Sequence, residues 1–167
     1  TAAAVAATGR RALPLALDVA DVVAVRRVVA AAAAALGGLD ILVNNAGIEE
    51  VRPSLAVDEA LWDRILDTNL KGAFFCAQAA ARAMVEAGSG GAIVNLCSLT
   101  SEAGVPTAVP YGSSKSGLLG MTRGLAAEWA AHGIRVNAIG PGYFRTALTE
   151  PFYRDDSWQQ SMLAKIP

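Results

Sequence analysis

LDILVNNAG, residues Leu39 to Gly47, decides how this chain is read. Leu39, Ile41, Leu42 and Val43 make an apolar run too short for a helix, and it stops on Asn44, Asn45, Ala46 and Gly47. A compact apolar run bounded by turn residues predicts a strand buried on both faces. Upstream, Asp21 caps an alanine-rich segment that Gly37-Gly38 closes, which predicts a helix. Downstream, Asp58 caps a helical region holding Trp62, Ile65, Leu66, Leu70 and Phe74 and ending near Gly88. The alternation then repeats. AIVNLCS (92–98) reads as a strand, about Tyr111 to His132 as a helix, and IRVNAIGPG (134–142) as another buried strand. RALPLALDV (11–19) reads as a strand at a sheet edge, because Pro14 lacks a ladder donor. The tail PFYRDDSWQQSMLAKI (151–166) reads as short amphipathic helices. Together these predict an α/β domain over residues 1–167, a doubly wound parallel sheet with helices on both faces.

Composition narrows the function. The chain has 167 residues, 53% hydrophobic and 17% charged, with a net charge of −1 and no run of Lys or Arg. That balance suits a packed core and argues against a nucleic-acid surface or a polybasic membrane patch. The longest apolar stretch, Val28 to Gly38, is too short to span a bilayer. The opening TAAAVAATGRR places its arginines after the small residues, unlike a secretory signal. Cys76 and Cys97 form no CxxC pair and read as buried thiols of a reduced, cytoplasmic protein, with no metal role. The single histidine, His132, sits at a helix end, where a cation suits the helix dipole.

Ligands of open parallel sheets bind beyond the carboxyl ends of the strands. Asp18-Val19, Asn45-Ala46-Gly47, Ser98 and Pro141-Gly142 occupy those ends here. Each alone is what a strand end ordinarily turns on. Tyr111 and Lys115 add chemistry, since residues at i and i+4 share a helix face. A free phenol, with a pKa of about 10, is a poor base at neutral pH, and an ammonium nearby favours the phenolate. Lowering that pKa by about 3 units takes roughly 4 kcal/mol, whereas an exposed lysine supplies about 0–1 kcal/mol. A water-poor cleft and a second cation are needed.

NNAG (44–47), a serine thirteen positions before a tyrosine, YxxxK (111–115) and NxIxPGxxxT (137–146) together resemble the short-chain dehydrogenase/reductase family. The resemblance covers essentially the whole chain. It implies a Rossmann-like fold that binds NAD or NADP, and hydride transfer between a secondary alcohol and a ketone. It implies Tyr111 as general acid/base and Ser98 as the partner of the substrate oxygen. Lys115 would hold the nicotinamide ribose and, with the charged nicotinamide, lower the tyrosine pKa. It also implies that Asn69 binds a proton-relaying water, although an asparagine inside the apolar stretch TNLKGAFF also reads as a satisfied core residue. For the cofactor it implies Asp18 and Val19 near the adenine, and Asn45, Ala46 and Gly47 near the adenosine ribose. Pro141, Gly142 and Thr146 would lie near the nicotinamide, beside Tyr111 and Lys115. The resemblance further implies a homodimer or homotetramer, and Ala77, Ala79 to Ala81, Gly117, Gly120 and Gly124 suit such close helix packing.

The chain departs from the family at its ends. No glycine-rich turn leads from a strand into a helix, and Thr1 to Ala7 resembles the end of the family's second helix. The first strand, the glycine loop, the second strand and the last strand are expected to be missing. Such a sheet is expected to expose apolar surface and an open edge, and to bind dinucleotide poorly. NLCSLTSEAG (95–104) and IGPGYFRT (139–146) resemble gluconate 5-dehydrogenase and related sugar-acid enzymes more than fatty-acid (3-oxoacyl-thioester) reductases. Ser101 stands where many members carry glycine. Glu49 and Glu50 favour a neutral polyol or sugar, whereas Arg52 and Arg145 favour an acid. A catalytically inert binding protein of the same fold is the reading of a different class.

Overall fold

The computed structural model describes residues 2–150 and 152–164. Thr1, Pro151, Lys165 and Ile166, on which parts of the terminal readings fall, lie outside the described residues.

Helix α1 (Ala2–Ala7) precedes a segment without ladder pairing, then α2 (Val22–Leu36). The Asp21 carboxylate accepts from the backbone N–H groups of Val23 and Ala24 at 2.9 and 3.0 Å, so α2 starts where the cap predicts. Strand β1 (Ile41–Asn44) leads through a turn at Ser54–Ala56 to α3 (Glu59–Leu66), capped by Asp58. A π-helical turn, Asp67–Gly72, joins α3 to α4 (Ala73–Ala87), which stops at Gly88 with a left-handed φ of 64°. Strand β2 (Gly91–Leu96), helix α5 (Val109–Trp129), strand β3 (Ile134–Ile139) and helix α6 (Asp156–Leu163) complete the order.

The sheet runs β1-β2-β3, with both pairs parallel. Val43 lies opposite Val94, and Ile93 opposite Val136. Helices α4 and α5 pack on one face, where Ile93, Ile134 and Val136 are buried with Ala77, Ala80, Met84 and Leu125. Ile41 and Val43 of β1 and Ile139 of β3 point to the other face and are 63%, 54% and 54% exposed. The parallel, Rossmann-like sheet of the sequence reading holds, and so does its expectation of exposed apolar surface.

One reading is corrected. Residues 11–19 do not form a strand: 11–18 have no ladder and Val19 lies in a turn. A strand is defined by pairing, and none of β1, β2 or β3 offers this segment a free partner edge that it takes. It is held instead by contacts such as Arg11 Nη2 donating to Ala35 O at 2.8 Å.

The asparagine that ends β1 is structural. Asn44 Nδ2 donates to Asn95 Oδ1 at 2.9 Å and to Ala73 O at 3.0 Å. Asn95 Nδ2 donates to Thr122 Oγ1 at 2.9 Å, and Thr122 Oγ1 to Leu118 O at 2.8 Å. A buried amide left unpaired is costly, so this chain of satisfied groups fixes β1, β2, α4 and α5 in one arrangement.

Candidate active site

The site forms where β2 and β3 end. Beyond β2, Ser98 opens a tight turn: its hydroxyl accepts from Thr100 N at 3.2 Å and its own N–H donates to Ser101 Oγ at 3.3 Å. Ser101 Oγ also donates to Lys115 O at 3.0 Å. The residue that departs from the family's usual glycine therefore ties the serine turn to α5. Pro110 sits in the first turn of α5, where its missing N–H costs nothing, and Tyr111 follows it.

Ser98, Tyr111 and Lys115 line one cleft of about 820 Å³ with Asn45, Gly47, Pro141, Gly142 and Thr146. Asp18, Val19, Ala46 and Asn69 do not line it. Asp18 is exposed and its carboxylate closes a local turn by accepting from Ala20 N at 2.9 Å. Val19 packs against the π turn, where a Cβ added to Gly72 would lie 2.8 Å from Val19 O. Only glycine permits that approach.

Asn69 sits behind the cleft, fully buried in the π turn. Its Oδ1 accepts from Ile48 N at 2.8 Å, and its Nδ2 donates to Ile48 O at 2.9 Å and to Ser114 Oγ at 3.1 Å. Ser114 Oγ donates to Tyr111 O at 2.7 Å. A side chain at this point of a regular helix would be aimed differently; the π turn swings the amide to the loop after NNAG. The structure thus shows Asn69 as a satisfied clamp between that loop and α5. Lys115 Nζ lies close by, since a Cβ added to Gly47 would be 3.5 Å from both Nζ and Asn69 Oδ1.

Lys115 is 4% exposed, and its Nζ donates to Leu96 O at 2.6 Å. Burial lowers its pKa, while Cys97 and Glu49 pull it the other way. Burial pushes the Tyr111 phenol above its ordinary value; the Ser98 hydroxyl offsets part of this, and Glu49 and Cys97 add to it. In the protein alone burial therefore outweighs any lowering, and the expectation, which joins Lys115 to a charged nicotinamide, concerns the cofactor-bound protein. The ammonium lies 5.6 Å from the phenol ring centroid and its hydrogen bond is directed to the end of β2. Both cysteines are buried free thiols, as expected, and Cys97 lines the cleft.

An aromatic cluster that sequence reading missed lines one side of the cleft. Trp158 of α6 packs against Tyr143, Phe152 and Tyr153 at centroid distances of 5.0, 5.7 and 5.4 Å, and Tyr143, Phe152 and Trp158 line the cleft. The signal was present as five aromatics within the sixteen residues 143–158.

The short chain dehydrogenase family profile matches residues 1–157. This chain belongs to the short-chain dehydrogenase family. It is 41% identical over 163 residues to 2-dehydro-3-deoxy-D-gluconate 5-dehydrogenase of Dickeya dadantii (strain 3937), covering 98% of this chain and 64% of that relative. A crystal structure from Sinorhizobium meliloti 1021, assigned to the short-chain alcohol dehydrogenases, superposes with a TM-score of 0.96 at 71% identity. That match covers 99% of this chain and 66% of the other. A gluconate 5-dehydrogenase from Burkholderia cenocepacia J2315, in complex with NADP and tartrate, gives a TM-score of 0.95 at 37% identity, over 99% and 65% of the two chains. This short-chain dehydrogenase chain thus spans about two thirds of the length of its relatives.

Proposed function

We propose that this chain carries the catalytic half of an NAD(P)-dependent oxidoreductase that interconverts a secondary alcohol and a ketone on a sugar, polyol or sugar acid. One observation carries the reading: Ser98, Tyr111 and Lys115, from two elements, converge on one cleft at the carboxyl ends of parallel strands.

The residues present suit a nicotinamide. The cleft is walled by the backbone of Gly140, Pro141 and Gly142, and Lys115 gives one hydrogen bond to Leu96 O, leaving two of its three N–H donors for ribose hydroxyls. Thr146 also lines the cleft. The bound dinucleotide supplies or removes a hydride at C4 of its nicotinamide ring. In the oxidative direction the carbinol O–H proton passes to the Tyr111 phenolate as the carbon gives up its hydride. In reduction the phenol returns that proton, and Ser98 Oγ and Tyr111 Oη donate to the oxygen on which negative charge grows. Burial raises the Tyr111 phenol further above neutrality, so its phenolate would need the second cation that a charged nicotinamide would supply. A water held at Asn69, beside Lys115 Nζ, would relay the proton to the lysine. Helices α4 and α5 carry the contacts of a homo-oligomer.

The open sheet face and the unpaired segment before α2 support weak dinucleotide binding by the 167-residue chain. Calorimetric titration with NAD and NADP tests this against a chain extended by a glycine-rich βα unit. The extended chain is expected to bind, and Tyr111→Phe in it to lose about 10²–10⁴-fold in kcat/KM with binding unchanged. Tight binding by the 167-residue chain contradicts the first expectation; an active Tyr111→Phe variant contradicts the mechanism.

A further inference from the structure

Four charged residues bear on substrate choice in the sequence, and the structure separates them. Glu50 is paired with Arg52 and Arg64, and Arg52 also with Asp58 at 3.0 Å. Arg145 grips Glu150 through two hydrogen bonds of 2.9 Å each. None of these lines the cleft. Two charged side chains do, Glu49 and Lys115. Lys115 is committed to Leu96 O. Glu49 is partly buried and has no hydrogen bond or ion pair among the described residues.

We infer that Glu49 makes this site selective for uncharged polyhydroxy substrates, alditols and their ketoses, over the matching sugar acids. The inference rests on the hydride-transfer reading above and names its substrate class. An ionised carboxylate only accepts hydrogen bonds and offers about four lone-pair positions, a match for a row of substrate hydroxyls and for nothing anionic. A substrate carboxylate entering the cleft meets a like charge in a half-buried setting, where screening is weaker than in water. No lining arginine compensates it. This is discrimination by repulsion as well as by attraction. The electrostatics agree with the placement: Glu49 acts on both Tyr111 and Lys115, so its charge is felt where the carbinol reacts. Leu99, Val105, Phe152 and Trp158 give the cleft an apolar stretch of wall, suited to the C–H edges of a carbon chain.

The test is a panel of alditols and the matched aldonates, which differ only in a terminal CH₂OH or carboxylate, assayed with the parent protein, the dinucleotide-loaded chain extended by the glycine-rich βα unit. The parent protein is expected to favour the alditol of each pair by about tenfold or more in kcat/KM. Glu49→Gln is expected to narrow that preference, and Glu49→Arg to reverse it. Calorimetric titration of the same pairs into the parent and Glu49→Gln reads the preference without turnover and covers a misfolded Glu49→Arg. Equal or better use of aldonates by the parent overturns the inference while leaving hydride transfer intact. A preference unmoved by Glu49→Gln overturns Glu49 as its source. Absence of hydride transfer with every member of the panel overturns the proposed activity itself, and the inference with it.

Discussion

The two faces of the three-stranded sheet carry the same kinds of side chain and meet opposite fates. Ile93 of β2 and Ile134 and Val136 of β3 are buried beneath α4 and α5, while Ile41 and Val43 of β1 and Ile139 of β3, on the other face, stay more than half exposed. Strand composition does not separate them; what the rest of the chain lays over them does. The candidate catalytic groups belong with the covered face. Asn69 comes from the π turn leading into α4, Ser114 and Lys115 from α5, and their hydrogen bonds reach the ends of β1 and β2. The candidate site is thus assembled by contacts within this chain, whereas the open face holds half-exposed apolar side chains worth about 1–1.5 kcal/mol each to whatever covers them.

Paired core substitutions strike this comparison hardest. Ile93→Ala is expected to cost about 2–5 kcal/mol in urea unfolding, from lost burial and the cavity left behind. Val43→Ala is expected to stay within about 0.5 kcal/mol, because its side chain is already in water. Equal costs would mean that both faces are covered in solution.

A smaller effect tests whether the site is self-contained. Asn69→Ala strips both the N–H and the C=O of Ile48 of their partner, at about 1–3 kcal/mol. The Ile48 amide should then exchange with solvent faster while β2 amides keep their protection. Unchanged exchange at Ile48 would show that the loop after NNAG is held by something other than the clamp.

What the sequence made legible was local. Apolar runs stopped by turn residues located β1, β2 and β3, and Asp21 and Asp58 located two helix starts through their carboxylates. The spacing of Ser98, Tyr111 and Lys115 was enough to bring them to one cleft, because strand ends and the following helix start share one edge of a parallel sheet. What was not legible depended on partners far along the chain. Residues 11–19 have the composition of a strand and no strand to pair with. Asn44 looked like a turn residue until Asn95 stood opposite it. Glu49 and Glu50 are adjacent and alike, yet only one is neutralised, by Arg52 and by Arg64 fourteen residues away. The tyrosine pKa is a further case: i, i+4 spacing shows the neighbouring charge, but the burial that raises the phenol depends on the whole fold.

That last point holds the central claim, that Tyr111 becomes a base only when an oxidised dinucleotide lies beside it. The direct measurement is the ultraviolet titration of the Tyr111 phenolate, isolated by subtracting the Tyr111→Phe variant, in a form of the protein that binds dinucleotide. Without cofactor the phenol should titrate above its ordinary value of about 10, in the direction that burial dictates. With saturating NADP, whose nicotinamide is cationic, the midpoint should fall toward neutrality, and with NADPH, whose ring is uncharged, it should not. Identical titrations with the two would contradict the account.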